Sequence, residues 1–372
     1  MSVIAYLISD THFPEHAKAG SWTTTPEVYG DALYVMSQVV DLCVRDQVPV
    51  VLAGDVFDGP DPEPEALVSL YDVIRPLSHA QLPLYYILGN HDRGRDWLAP
   101  FGKFASRLDN NIGWLDNRNI TVTGMSFVVP TNFADTIKTV FKGDVGVYHQ
   151  TWAEFGMCPG SNRISVSDLP EHQLVVCGDI HVRSIVQPPK GPKVALSPGP
   201  LAPQSVSEFE HPVIYALHSD MTLERVPVKG RNYYLFEEND ADSVIAYLSN
   251  IKHREDVPPH IAKPMVAIKL SNKDPEFINT INNLAEKKDF ILRIVNDNTK
   301  KDIVKNRTKF VLTGVSTLAD AISSSVVDDE VKRIASAITK PGVTPRTVLN
   351  EMLSDYVGQL PLVQFERSEK LN

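Results

Sequence analysis

Five apolar stretches of this chain each stop at residue types that bind metal ions. Residues 3–9 run into Asp10-Thr11-His12, 50–53 into Gly54-Asp55, 84–88 into Gly89-Asn90-His91-Asp92, 145–148 into His149, and 174–177 into Gly178-Asp179-Ile180-His181. Short apolar runs closed by Gly or a polar turn read as buried strands. In an open α/β sheet, ligands collect just outside the carboxyl ends of the strands, so the five ends can share one rim. Asp10/His12 and Asp179/His181 are each two residues apart, and on an extended chain that spacing puts both side chains on one side. Taken singly, each group has a plainer use: Asp10 and Asp55 can cap turns, residues 89–92 can cap their own backbone, and a lone His149 or His181 can be an ordinary hydrogen-bonded histidine. Five such ends in one chain point to a shared metal site.

The intervening sequence supplies the crossovers. Thr25-Pro26 opens a helical pattern to about Arg45, residues 64–79 form a second helix bent at Pro76, and 96–108 have helical spacing. Strand, helix, strand, helix, strand is an α/β order. Short strands follow over 112–130, then at 193–196 and 213–218, and the first domain closes near Val228. Residues 233–295 read as a β-α-β-α-β unit without a catalytic cluster, and 296–309 as a charged linker. Residues 329–338 and 344–356 read as two short amphipathic helices that need a partner surface. The boundaries expected are 1–228, 229–298 and 299–372, in keeping with a chain of 372 residues.

Composition excludes little. Apolar content of 43% and charged content of 22% are ordinary for a globular chain. No run of about 18 apolar residues exists, and the opening MSVIAYLISDTHF has neither the basic region nor the cleavage site of a secretory signal. Cys43, Cys158 and Cys177 form no disulfide framework and no CxxC knuckle, so the expectation is a cytoplasmic protein without a membrane anchor. A net charge of −10 is awkward for a nucleic-acid binder, but carboxylates gathered around divalent cations present positive charge once loaded.

The donor mixture of Asp, Asn and His suits Mn²⁺, with Mg²⁺ as the alternative, better than Ca²⁺ or thiolate-bound Zn²⁺. Two adjacent ions of this kind can activate a water and stabilise both oxygens of an in-line phosphoryl displacement, which makes phosphoester hydrolysis the expected chemistry.

In this order, DTH, GDVFD, GNHD, a lone His after a strand and a G-x-x-H turn resemble the calcineurin-like metallophosphoesterases. The helix after GDVFD, the SPGPLAPQSVSE segment and the added cap and tail are similar, more narrowly, to SbcD-type nucleases, the double-strand-break repair subunits that work with an SbcC-type coiled-coil ATPase. The resemblance implies an α/β fold: a metallophosphoesterase α/β sandwich with a small α+β cap, here a DNA-recognition domain, and a helical C-terminal tail. It implies that Asp10, His12 and His181 hold one ion, that Asp55 bridges, and that Asn90 and His149 hold the other. His91 would stabilise the transition state or protonate the leaving oxygen, with Asp92 orienting it. One position departs from the family: Asp179 stands where Gly-His-x-His would place a histidine, and the expectation is that it remains the last ligand of the Asn90/His149 ion, the alternative being that it turns away and caps the loop.

The implied function is a Mn²⁺-dependent DNA exonuclease and endonuclease. Its partners would be DNA and an SbcC-type ATPase, the latter docked on apolar stripes of the tail helices unless these pack back on the chain's own cap, and it would be a homodimer. Two alternatives stay open: another phosphoesterase of the superfamily acting on a small phosphodiester, and a non-enzymatic scaffold bringing an ATPase to DNA. A protein phosphatase is disfavoured, because Gly59-Pro60 follows Asp58 where that group carries an arginine. Arg93, Arg95, Trp97, Lys103, Arg107 and Arg183 line either a phosphate track or a solvated face. Trp152, Phe155 and Met157 read as packing or a lid.

Overall fold

The structure, a computed structural model, describes residues 2–13, 30–92, 94–102, 104–116, 119–155, 163–205, 208–236, 241–270 and 275–296. The chain separates into two compact units, Met1–Asn306 and Arg307–Asn372. The second unit, with the two expected tail helices, lies outside the described residues.

Two six-stranded sheets form the body of the first unit. The first has the order β12-β11-β1-β2-β3-β4, built from β1 (Val3–Ile8), β2 (Val50–Ala53), β3 (Leu84–Ile87), β4 (Ala105–Arg107), β11 (Val213–His218) and β12 (Leu223–Pro227). The second has the order β5-β6-β7-β8-β10-β9, from β5 (Gly113–Leu115), β6 (Ile120–Met125), β7 (Val145–His149), β8 (Leu174–Gly178), β9 (Ser184–Val186) and β10 (Val194–Ser197). Each sheet contains a run of parallel strands: β1-β2-β3-β4 in one and β6-β7-β8-β10 in the other.

Strand periodicity explains the layering. In β1, β2 and β3, Tyr6, Ile8, Val50, Leu52, Leu84 and Tyr86 pack with residues of α1 (Asp31–Asp46) and α2 (Pro64–His79). Their neighbours Leu7, Val51, Ala53, Tyr85 and Ile87 share a second core with Val122, Val145, Val147, Leu174 and Val176 of the other sheet. Alternate residues thus serve alternate layers, and strands covered on both faces are apolar throughout. A third cluster, including Phe133 of α3 (Pro130–Thr136), Trp152, Phe155 and Ile164, covers the far face of the second sheet. The result is the expected α/β sandwich.

Residues 96–108 differ from the helix their spacing predicts. Among the described residues of this stretch only Ala99–Phe101 makes a single 3-10 turn, and Ala105–Arg107 then pairs in parallel with β3. Pro100 and Gly102 interrupt the helix, and the edge of β3 offers backbone partners instead, as in the Leu84 N–H to Phe104 carbonyl bond of 2.7 Å. The first helix is likewise described from Asp31 with Gly30 at its N-cap, so the Thr25-Pro26 start lies outside the described residues.

A smaller three-stranded parallel sheet, β13 (Tyr233–Phe236), β14 (Met265–Leu270) and β15 (Ile291–Asn296), follows with α4 (Ala241–Ser249), α5 (Pro259–Ala262) and α6 (Pro275–Lys288). It has its own core of Val244, Leu248, Val266, Ile268, Ile281 and Phe290. A buried clamp joins it to the body: the Arg231 guanidinium donates to both Asp31 oxygens at 2.8 and 2.9 Å, the Tyr233 hydroxyl donates to the same carboxylate, and Arg231 also donates to the backbone carbonyls of His260 and Lys263.

Candidate metal centre

The five strand ends do meet, but across two sheets rather than along one rim. Asp10 and His12 follow β1, Asp55 follows β2 and Asn90-His91 follow β3, three adjacent strands of the first sheet. His149 ends β7, and Asp179 and His181 follow β8, adjacent strands of the second. Nor is the chain extended where the paired ligands sit. Asp10, His12, Asp55 and Asp179 have φ of 50°, 40°, 50° and 77°, all left-handed. Asp and His tolerate this region better than most residues, yet the cost is of order 1–3 kcal/mol each. Such strain concentrated on four neighbouring polar residues marks a site whose geometry the surrounding fold imposes.

Backbone amides set the carboxylates. Asp10 Oδ1 accepts the Asp179 N–H at 2.9 Å, leaving Oδ2 buried without a hydrogen-bond partner among the described residues. Asp55 Oδ1 accepts the His91 N–H at 2.9 Å, and Oδ2 lies 3.3 Å from His149 Nε2 and 3.5 Å from His12 Nε2. Each carboxylate therefore spends one oxygen on the scaffold and keeps the other for the site. His12 Nε2 and His181 Nε2 are 3.1 Å apart, and Asn90 Oδ1 is 2.8 Å from His149 Nε2. The opposite nitrogen of His149 lies 2.8 Å from the Ala53 carbonyl, which turns Nε2 inward to the site. Glycine is needed here: a Cβ on Gly178 would lie 2.0 Å from the Ala53 oxygen and 2.3 Å from His149 Nδ1.

Asp10, His12 and His181 form one group able to share an ion, Asp10, Asp55 and His149 a second, and His12, Asp58 and His91 a third. Asp179 stands beside the second group, with Oδ1 3.9 Å from His149 Nε2 and Oδ2 accepting from the Thr151 hydroxyl at 2.7 Å. Electrostatics match the donor chemistry. Burial pushes the Asp10 carboxyl up to about 6 and holds the His12 imidazole down to about 3. Burial also disfavours charge on His149 and His181, but the carboxylates facing them outweigh it and raise them to about 10 and 9. A cluster that calls for cations this strongly, with a buried carboxylate oxygen left unpaired, fits divalent metal.

Asp92 departs from its expected role. Its buried carboxylate accepts the N–H groups of Val56 at 3.1 Å and Gly89 at 2.8 Å and does not hold the His91 ring. Those two amides leave their strands unpaired at the turn, and a carboxylate is the acceptor that satisfies both. His91 instead places Nδ1 2.8 Å from the Asp58 backbone carbonyl, with Asp58 Oδ1 at 3.7 Å, and its ring stands edge-on to His12 at 4.8 Å between centroids. Sequence reasoning also passed over Glu208, whose Oε1 lies 3.1 Å from His181 Nδ1. Asp58 closes GDVFD and Glu208 closes SPGPLAPQSVSE, so both stood in view without a role.

The cationic residues considered for DNA that lie among the described residues are paired within the protein. Arg95 contacts Asp61, Arg107 contacts Asp96 and Asp109, and Arg183 contacts Glu210 and the Pro200 carbonyl. Trp97 donates to the Pro60 carbonyl. Trp152 is packing, buried and donating to the Gly178 carbonyl, and Phe155 is buried with it. Arg93, Lys103 and Met157 lie outside the described residues. No described helix is long and apolar enough to cross a membrane.

Residues 5–183 match the family model for calcineurin-like phosphoesterases. The chain is 24% identical over 265 residues to a DNA double-strand break repair protein Mre11 of Methanococcus maripaludis, covering 62% of this chain and 70% of that one. With a protein of the same name from Sulfurisphaera tokodaii the identity is 23% over 368 residues, 88% of this chain and 91% of the other. A third, from Saccharolobus solfataricus, is 31% identical over 105 residues, about a quarter of each chain at 27% and 26%. Residues 5–183 thus match a calcineurin-like phosphoesterase domain, and with the likeness to the Mre11 proteins this supports a metal-dependent phosphoesterase.

Proposed function

We propose that this protein is a DNA nuclease that hydrolyses phosphodiester bonds with two divalent ions, Mn²⁺ before Mg²⁺. The observation that carries the reading is the position of Asp55 Oδ2, 3.3 Å from His149 and 3.5 Å from His12, where one carboxylate can bridge two ligand sets. Asp10, His12 and His181 would hold one ion, Asn90, His149 and Asp179 the other. Such a pair supplies water activation and charge neutralisation at the phosphoryl group. The protein's own part is positioning and proton transfer. His91, the most exposed imidazole of the cluster at 41%, would protonate the leaving oxygen, with Asp58 Oδ1 3.7 Å from its Nδ1.

Likeness to DNA double-strand break repair proteins over most of the chain supports DNA as the substrate. On that reading residues 1–228 are the nuclease domain and 229–298 a DNA-recognition cap. Residues 299–372 are the docking segment for an SbcC-type ATPase, and the protein works as a cytoplasmic homodimer. The internal pairing of Arg95, Arg107 and Arg183 favours a second reading, hydrolysis of a small phosphodiester.

One assay separates them: end-labelled double-stranded DNA and an aryl phosphodiester, each with Mn²⁺, for wild type and His91→Ala. The nuclease reading expects Mn²⁺-dependent DNA cleavage lost by about 100-fold or more in His91→Ala. Turnover of the aryl ester without DNA cleavage overturns it in favour of the small substrate.

A further inference from the structure

We propose that Glu208 is a positioning residue that fixes the tautomer of His181 for metal binding, an inference that rests on the reading of His181 as a ligand. Glu208 lies far along the chain from the five strand ends, in the loop after β10, yet its carboxylate is only 16% exposed and Oε1 is 3.1 Å from His181 Nδ1. The loop itself holds that carboxylate. The Gln204 N–H donates to Oε2 at 2.8 Å and the Ser205 hydroxyl donates to Oε1 at 2.8 Å. Phe209, the next residue, packs its ring 5.1 Å from Tyr233, whose hydroxyl donates to Asp31 in the clamp of the small domain.

With both oxygens acting only as acceptors, Glu208 requires a proton on His181 Nδ1. That leaves the Nε2 lone pair on the side of His12 and Asp10. A carboxylate behind a ligating imidazole fixes ring orientation and raises ligand basicity, and removing one typically lowers metal affinity 10–100-fold.

The isosteric amide gives a sharp test. In Glu208→Gln the Gln204 N–H still demands an acceptor, so the carbonyl takes that side and the amide NH₂ faces His181. An NH₂ there pairs with a bare Nδ1 and moves the ring proton to Nε2, the nitrogen needed for metal. Glu208→Gln should therefore bind one of two Mn²⁺ ions at least about tenfold more weakly, with the loss equal to or greater than in Glu208→Ala. The other ion's affinity and the metal-free melting temperature should stay near wild type.

Mn²⁺ calorimetry and thermal melts on the full chain read all of this without an activity assay. Wild-type binding of both ions by Glu208→Gln and Glu208→Ala would overturn the proposal. So would a Glu208→Gln affinity well above that of Glu208→Ala, since the inverted proton would then be absent. Failure of the wild type to bind two ions would instead overturn the reading beneath it.

Discussion

The imidazole of His149 reaches back 96 residues to lie 2.8 Å from the Ala53 carbonyl, joining the end of β7 in one sheet to the end of β2 in the other. That contact fixes which nitrogen faces the site, and it exists only because no side chain stands between the two strand ends. Gly178→Ala would put a methyl 2.0 Å from that carbonyl oxygen, against backbone that cannot swing away. We expect a loss of about 1–3 kcal/mol or more in urea unfolding, with weakened Mn²⁺ binding. Gly30→Ala, where the nearest atom is 3.5 Å from the new methyl and φ is −86°, should stay within about 0.5 kcal/mol of wild type.

Asp179 stands where the family has histidine. Its carboxylate contacts lie on the His149 side of the cluster, with His149 and Thr151. On the proposed ligand assignment, Asp179→Ala should lower the affinity of one ion at least about tenfold and leave the other unchanged, whereas Asp55→Asn, which alters the proposed bridging group, should weaken both. Two-site fits to Mn²⁺ calorimetry distinguish the patterns. Unchanged affinities in Asp179→Ala would show that the carboxylate serves the loop and not the metal.

The meeting of the five strand ends was legible because each candidate ligand stands at or just after the end of an apolar strand, so a linear motif carries the spatial fact. What that motif could not carry was the partner of each group. Asp92 is adjacent to His91 in the chain, but its hydrogen bonds go to Val56 and Gly89, because two unpaired amides at the strand turn outcompete one neighbouring ring. Residues 96–108 have apolar spacing compatible with a helix, and only the free edge of β3 decides for a strand. Glu208 is invisible for the same reason: its meeting with His181 depends on how the loop after β10 returns, a tertiary matter that local spacing does not encode.

The clamp between the small domain and the body makes a separate prediction. Arg231 and Asp31 are both buried, with side-chain exposures of 0% and 5%, and the guanidinium is the cation that balances the Asp31 carboxylate. Burial pushes the Asp31 carboxyl up against that pull. Arg231→Met leaves a buried carboxylate without its cation and should cost about 3–5 kcal/mol. Adding Asp31→Leu to Arg231→Met should recover part of the loss, because the uncompensated buried charge is gone although the Tyr233 hydroxyl and the His260 and Lys263 carbonyls lose these partners. Urea denaturation of the single and double variants tests this, and a double variant no more stable than Arg231→Met would refute it.

His172 supplies a pH dependence outside the metal cluster. Its ring is buried, with Nε2 2.8 Å from the Tyr148 hydroxyl and Nδ1 2.7 Å from the Gly143 carbonyl. Burial holds the imidazole below its usual range, although the Gly143 carbonyl and Asp144 pull the other way. The unfolded chain, with an ordinary value of about 6.5, therefore takes up this proton before the folded one does. The contribution of His172 to stability is full above about pH 6.5 and is lost as the pH falls from there towards the depressed folded value, with a slope of at most about 1.4 kcal/mol per pH unit. His172→Gln cannot take up that proton in either state. Unfolding free energies measured from pH 7.5 to 5 should converge for the two proteins as the pH falls, the wild type losing the faster. Parallel curves across that window would show that His172 carries the same proton folded and unfolded.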